Sequence, residues 1–85
     1  MTQTAKEILA KGQWSHVLTA EEIEVFHVLT ESLDPAFAAR ERKWFATQTA
    51  ARLQSDMRSA WYANIPGEYQ MNRSYLKLRF GIDAR

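Results

Sequence analysis

DPAFAARERKWFATQTAARLQSDMRSAWYA, residues 34–63, is the stretch on which the fold turns. Asp34 is a good N-cap, and Pro35 follows at the first helical position, where its missing N–H costs nothing. No further Pro or Gly occurs until Pro66, and the residues between are rich in Ala, Arg, Gln and Leu, which favour helix. The pattern predicts one helix over about 35–63, roughly 42 Å long at 1.5 Å per residue. A helix of that length in a small chain is expected to project and to pair. Its seam is Ala39, Ala46, Ala50, Leu53, Met57 and Ala60, one step of seven followed by steps of four, three, four and three, with Trp61 adjoining. A second edge carries Phe37, Trp44 and Phe45. Either both edges pack on this chain's own helices, or one is given to another subunit.

Upstream, Thr19-Ala20-Glu21-Glu22 is a capping box, with Leu18 and Ile23 at the spacing of a hydrophobic staple. Glu21, Glu22 and Glu24 lie in the first turns, where the helix dipole favours them. A central helix is therefore expected over about 20–32. Ile23, Val25, Phe26, Val28, Leu29 and Leu33 wrap more than half of its circumference, which implies two packing faces. A short helix over 2–11, ended by Gly12, precedes it, and Trp14 and Val17 in the connector are expected to pack against the central helix.

Downstream, Pro66-Gly67 signals a turn. Leu76, Leu78, Phe80 and Ile82 then alternate with Tyr75, Lys77 and Arg79, a period of two that reads as a half-buried strand within about 73–82. No second strand is evident. The tail would therefore pair with its copy, add to the sheet of a different protein, or be an extended arm or a short helix. The expected architecture is one mainly α domain over 1–85 with a C-terminal arm from 65 onward.

Composition bounds the function. The chain has 85 residues, 46% of them hydrophobic, no cysteine and a net charge of +1. Disordered, disulfide-stapled and thiolate-zinc classes are excluded on these values. No apolar run reaches the ~20 residues of a membrane span, and residues 1–12 do not read as a signal peptide. A cytoplasmic protein without membrane association is expected. Ten aromatic residues in so short a chain are more than a small interior is expected to hide, so some should lie on a surface that meets another chain.

Charge is unevenly distributed. Residues 1–34 hold two basic and six acidic side chains, and residues 35–85 hold nine and four. An acidic head and a basic remainder favour head-to-tail contact between copies, or contact with a polyanion.

No constellation for catalysis is legible, no phosphate-binding glycine loop is present, and no cofactor is expected. Glu24, His27 and Glu31 share a helix face, and Glu-x-x-His is a ligand spacing of di-metal bundles. With few further carboxylates at hand, a solvated polar strip is the better reading. The primary expectation is a non-enzymatic assembly or interaction protein that binds a protein partner or self-associates. Trp44, Met57, Trp61, Tyr75, Leu76, Leu78 and Phe80 are its contact residues. The alternative is nucleic-acid binding by the basic half, with Arg40, Arg42, Lys43, Arg52, Arg58, Arg73, Lys77 and Arg79 on phosphates and Trp61, Tyr62, Tyr69 and Tyr75 stacking on bases.

Overall fold

Five α-helices in chain order make up a computed structural model that describes residues 4–84: α1 Ala5–Leu9, α2 Ala20–Leu33, α3 Pro35–Thr47, α4 Ala50–Ala63 and α5 Pro66–Phe80. Each start has a local cause. Thr4, Thr19, Asp34 and Thr49 cap the first four helices, each side chain accepting a backbone N–H three residues on. At α2 the capping box is complete, because the Glu22 carboxylate also accepts the Thr19 N–H. α5 has no side-chain cap and begins on Pro66.

Two hairpins result. α2 packs on α3 and α4 packs on α5, while α2 laid against α5 provides the main packing between the pairs. The shared core contains Ile8, Leu18, Ile23, Phe45, Leu53, Met57, Ala60, Tyr69, Tyr75, Leu76 and Ala84. Burial of a Leu, Ile or Met side chain is worth about 1.5–3 kcal/mol, so this cluster is the principal source of stability. The radius of gyration is 12.3 Å, close to the ~12 Å of a compact chain of this length.

The expected long helix is broken. Gln48 leaves the helical region at φ −73°, ψ 152°, and Thr49 starts a new helix by capping Arg52. The two Thr flanking Gln48 explain the break. Thr47 bonds back to the Lys43 carbonyl at 2.8 Å, and Thr49 is a better cap than an interior residue. The molecule measures 31 × 27 × 25 Å, shorter in every direction than a single helix over 35–63. Of the seam residues, Leu53, Met57 and Ala60 are buried, whereas Ala39 and Ala46 face solvent.

The expected C-terminal strand is a helix. Pro66 opens α5, Glu68 lies in its first turn and Lys77 and Arg79 in its last. Gly81, at φ 68°, closes it by donating to the Lys77 carbonyl. Between Gly67 and Gly81 there is no β-branched residue, so nothing local opposes helix. The apparent alternation of 76, 78, 80 and 82 covers both helix faces: Leu76 is fully buried, while Leu78 and Phe80 are exposed. Residues 66–84 are part of the monomer rather than an arm leaving it.

Candidate functional site

α5 positions the site by holding the connector between α1 and α2. Gly12 adopts φ +92°, where a Cβ would meet the Ser15 hydroxyl at 3.0 Å, and this turns the chain into residues 13–18. Three α5 side chains then take up backbone groups of that connector. Arg73 donates to the Trp14 carbonyl at 3.2 Å, Gln70 donates to the His16 carbonyl at 3.0 Å, and the Ser74 hydroxyl accepts the Leu18 N–H at 2.9 Å. Ser74 donates in turn to the Gln70 carbonyl at 2.6 Å, so the fully buried hydroxyl is satisfied.

The other side of the connector is fixed by Glu22. Its carboxylate lies 3.1 Å from Lys11 Nζ, 3.0 Å from His16 Nε2 and 3.0 Å from the Thr19 amide. Burial pushes this carboxyl up, but the hydrogen bonds from Thr19, His16 and Lys11 outweigh it and hold the group at about 2. Glu22 was legible in the sequence as a capping residue. Its second function, joining the connector to α2, was not.

Pinned in this way, Trp14 stands edge-on to Trp61 of α4 at 5.2 Å and tilted against Tyr69 of α5 at 5.2 Å, while Trp61 and Tyr69 lie 5.4 Å apart. The three rings form the wall of an open cleft of about 640 Å³, completed by Tyr62, Met57, Ser15, Arg58 and Arg73. Tyr69 is buried, but Trp61 is 56% and Tyr62 87% exposed. Arg73 is anchored by Trp14 and lies 3.9 Å from Asp83, with its Nε buried and unpaired. The cleft lining contains two arginines and no carboxylate. Its volume is in the range of a small-ligand pocket. Its openness and aromatic wall are also those of a docking site for large side chains, since Trp and Tyr dominate interface energetics.

The sequence-expected contact residues divide between core and surface. Met57, Tyr75 and Leu76 are buried in the core, and of the three only Met57 borders the cleft. Trp61 lies in the cleft. Leu78 and Phe80 are exposed near the end of α5. Trp44 is half-buried in a second cleft of about 450 Å³ between α3, α4 and α5, with Phe37, Arg40, Glu41 and Asp56. The sequence points to Tyr62 and Tyr69 only as base-stacking residues and to Trp14 only as packing. Their convergence depends on the α4–α5 turn, which is closed by Asn64 in the left-handed region at φ 59° and by Ile65 donating to the Ala60 carbonyl.

The basic residues are similarly divided. Arg42 binds Glu24 through two 2.7 Å hydrogen bonds and lies 3.5 Å from Glu31. Its hydrogen bond lowers the Glu24 carboxyl against the opposing effect of desolvation. Arg52 pairs with Asp56 at 3.3 Å. Arg79 donates to the carbonyls of Phe45 and Gln48 at 2.8 and 2.5 Å, satisfying the exposed end of α3. Arg40, Lys43, Arg58 and Lys77 remain exposed.

Glu24, His27 and Glu31 do not converge. His27 points inward, with Nε2 2.6 Å from the Tyr75 hydroxyl and Nδ1 3.5 Å from Glu41, whereas both glutamates turn to Arg42. Among the described residues no group of three or more His, Cys, Asp or Glu is gathered for a metal. Burial holds His27 below its usual value, raises Glu41, and raises Tyr75. Carboxylate, imidazole and hydroxyl are thus in line, but Tyr75 lines neither cleft, and its ring is stacked on Phe45 at 4.5 Å. The Tyr75–His27 hydrogen bond joins α5 to α2, while His27 Nδ1 makes no hydrogen bond to Glu41 of α3.

Among the described residues no helix is long and apolar enough to cross a membrane. No family model, curated protein or solved structure matches the chain.

Proposed function

We propose that this chain is a non-enzymatic interaction protein that receives an apolar, acidic segment of a protein partner in the cleft between the connector, α4 and α5. The observation that supports this reading is the Trp14–Trp61–Tyr69 cluster, in which Trp61 is exposed beside the exposed Tyr62 and Arg58. Aromatic anchors in a concave site next to arginine are the composition of interface hot spots. The exposed Arg58 favours an acidic group on the occupant. The docking surface thus combines the second half of the expected long helix with α5, in place of a free helix and an extended arm.

The second reading is single-stranded nucleic acid, favoured by the exposed rings of Trp61 and Tyr62 near Arg58 in one groove. It is weakened by the commitment of Arg42, Arg52 and Arg79 to partners within the chain.

Fluorescence anisotropy with three labelled probes separates the readings: an amphipathic helical peptide bearing Leu and Glu, its Lys counterpart, and a single-stranded oligonucleotide. The account expects the acidic peptide to bind, and Trp61→Ala to weaken it at least tenfold. Binding of the oligonucleotide alone, falling steeply with salt, would establish the second reading instead. Failure of all three probes would remove the cleft as a docking site.

A further inference from the structure

We propose that the second cleft, between α3, α4 and α5, is a binding site for a primary ammonium group, held by Glu41 and Asn72 against the ring of Trp44. This cleft is separate from the aromatic one, and no residue lines both. Three helices converge on it. Phe37, Glu41 and Trp44 stand at i, i+4 and i+7 on one face of α3, Asp56 comes from α4, and Glu68 and Asn72 come from successive turns of α5.

The lining is acidic. It holds three carboxylates, those of Glu41, Asp56 and Glu68, against the single guanidinium of Arg40. Asp56 is paired with Arg52 at 3.3 Å. Among the described residues neither Glu41 nor Glu68 pairs with a Lys or Arg, and the exposed Arg40 pairs with no carboxylate. The imidazole of the buried His27 is the group that approaches Glu41, at 3.5 Å without a hydrogen bond. Burial pushes the Glu41 carboxyl up, and no neighbouring cation offsets it. A cation entering the cleft would supply that missing charge.

Asn72 specifies the kind of cation. It is 4% exposed, and its Nδ2 donates to the Glu68 carbonyl at 2.8 Å, but its Oδ1 has no hydrogen-bond partner. A buried acceptor left unpaired is costly. A primary ammonium carries N–H donors that can satisfy it, and a quaternary ammonium carries none. The rings favour an organic cation over a hydrated metal ion, because an aromatic face attracts an alkylammonium. Trp44 is half-buried and Phe37 is 46% exposed, and both border the cleft. Its volume of about 450 Å³ lies in the range of small-ligand pockets and admits an extended alkylamine. Such a group comes from a free polyamine or from a lysine side chain of a protein.

The indole N–H resonance of Trp44 in the isotope-labelled full chain reads the test. The probes are cadaverine, spermidine and a short lysine peptide, with choline and pentanediol as controls. An amine is expected to move Trp44 saturably at millimolar concentration or below, leaving Trp14 and Trp61 in place. Choline, a cation without N–H, and pentanediol, a neutral chain of the same length as cadaverine, are expected not to move it. Glu41→Gln should weaken amine binding about tenfold, the scale of a charge-assisted hydrogen bond. Arg40→Gln, at an exposed position, removes the competing cation and should strengthen binding about threefold. Tighter binding of the lysine peptide assigns the ammonium to a protein partner, and tighter binding of spermidine assigns it to a free polyamine; either result supports the site. No saturable movement of Trp44 with any amine overturns the proposal. So does equal movement with choline or pentanediol, or an affinity unchanged by Glu41→Gln or by Arg40→Gln.

Discussion

The Tyr75 hydroxyl lies 2.6 Å from Nε2 of His27, both residues being buried, and this hydrogen bond joins α5 to α2 where the two hairpins meet. Tyr75→Phe keeps the ring stacked on Phe45 and removes only the bond, leaving an imidazole nitrogen unpaired in a dry interior. A loss of about 1–3 kcal/mol is expected. For a domain of this size that corresponds to a fall in Tm of roughly 4–8 °C per kcal/mol. Thermal and urea denaturation measure it, and unchanged stability would show that the bond is not formed in solution.

The same histidine gives a pH dependence. His27 is held below 6.5 by burial, so the unfolded chain takes up its proton first as pH falls. Its contribution is complete above 6.5 and is lost below that value. Glu41, raised by burial, acts in the opposite sense: its contribution is present below 4.5 and is lost as pH rises through its elevated value. Glu22, held at about 2, contributes fully above 4.5 and loses that contribution as pH falls from there towards 2. Urea denaturation across this range should show stability falling on acidification below 6.5, and falling again below 4.5. His27→Gln should flatten the first decline and Glu22→Gln the second. An unaltered profile in both variants contradicts the assignment.

Arg79 separates a structural from a nucleic-acid role. Its guanidinium binds the Phe45 and Gln48 carbonyls at the end of α3. Arg79→Met should destabilise the protein by about 1.5–3 kcal/mol, the range for a hydrogen bond to a charged group. It should leave peptide binding at the cleft within twofold. Full stability with reduced oligonucleotide affinity would return Arg79 to the nucleic-acid reading.

Thr49 tests the break between α3 and α4. If its side chain starts α4, Thr49→Ala should cost about 1 kcal/mol. A continuous helix would instead gain from Ala at that position. The sign of the change in Tm is therefore decisive.

Legibility in the sequence followed the range of the interactions. The start of α2 was readable because the Thr19–Glu22 box and the Leu18–Ile23 pair are local. The break at Gln48 was hidden because Thr49 can be either a helix interior residue or a cap, and the Arg79 contact that satisfies the end of α3 comes from more than 30 residues away. α5 is masked in the sequence because the alternation over 76–82 mimics a strand, and only its punctuation, Pro66 at the start and Gly81 at the end, marks a helix. In the candidate site, Trp61 was singled out and Arg58 assigned to phosphate. The pairing of Trp14 with Trp61 is not legible in the sequence, because it depends on Arg73, Gln70 and Ser74 gripping a connector more than 50 residues earlier. The aromatic residues are divided between surface and core. Phe37, Trp61, Tyr62 and Phe80 are exposed, while Phe45, Tyr69 and Tyr75 fill the core.

The indole N–H resonances of Trp14, Trp44 and Trp61 report the docking claim most directly, since two of these rings line the cleft and the third lies between α3, α4 and α5. Titrating isotope-labelled protein with the acidic amphipathic peptide should move the Trp14 and Trp61 signals together, saturably, and leave Trp44 in place. Movement of Trp44 alone, or of none of the three, would contradict the account.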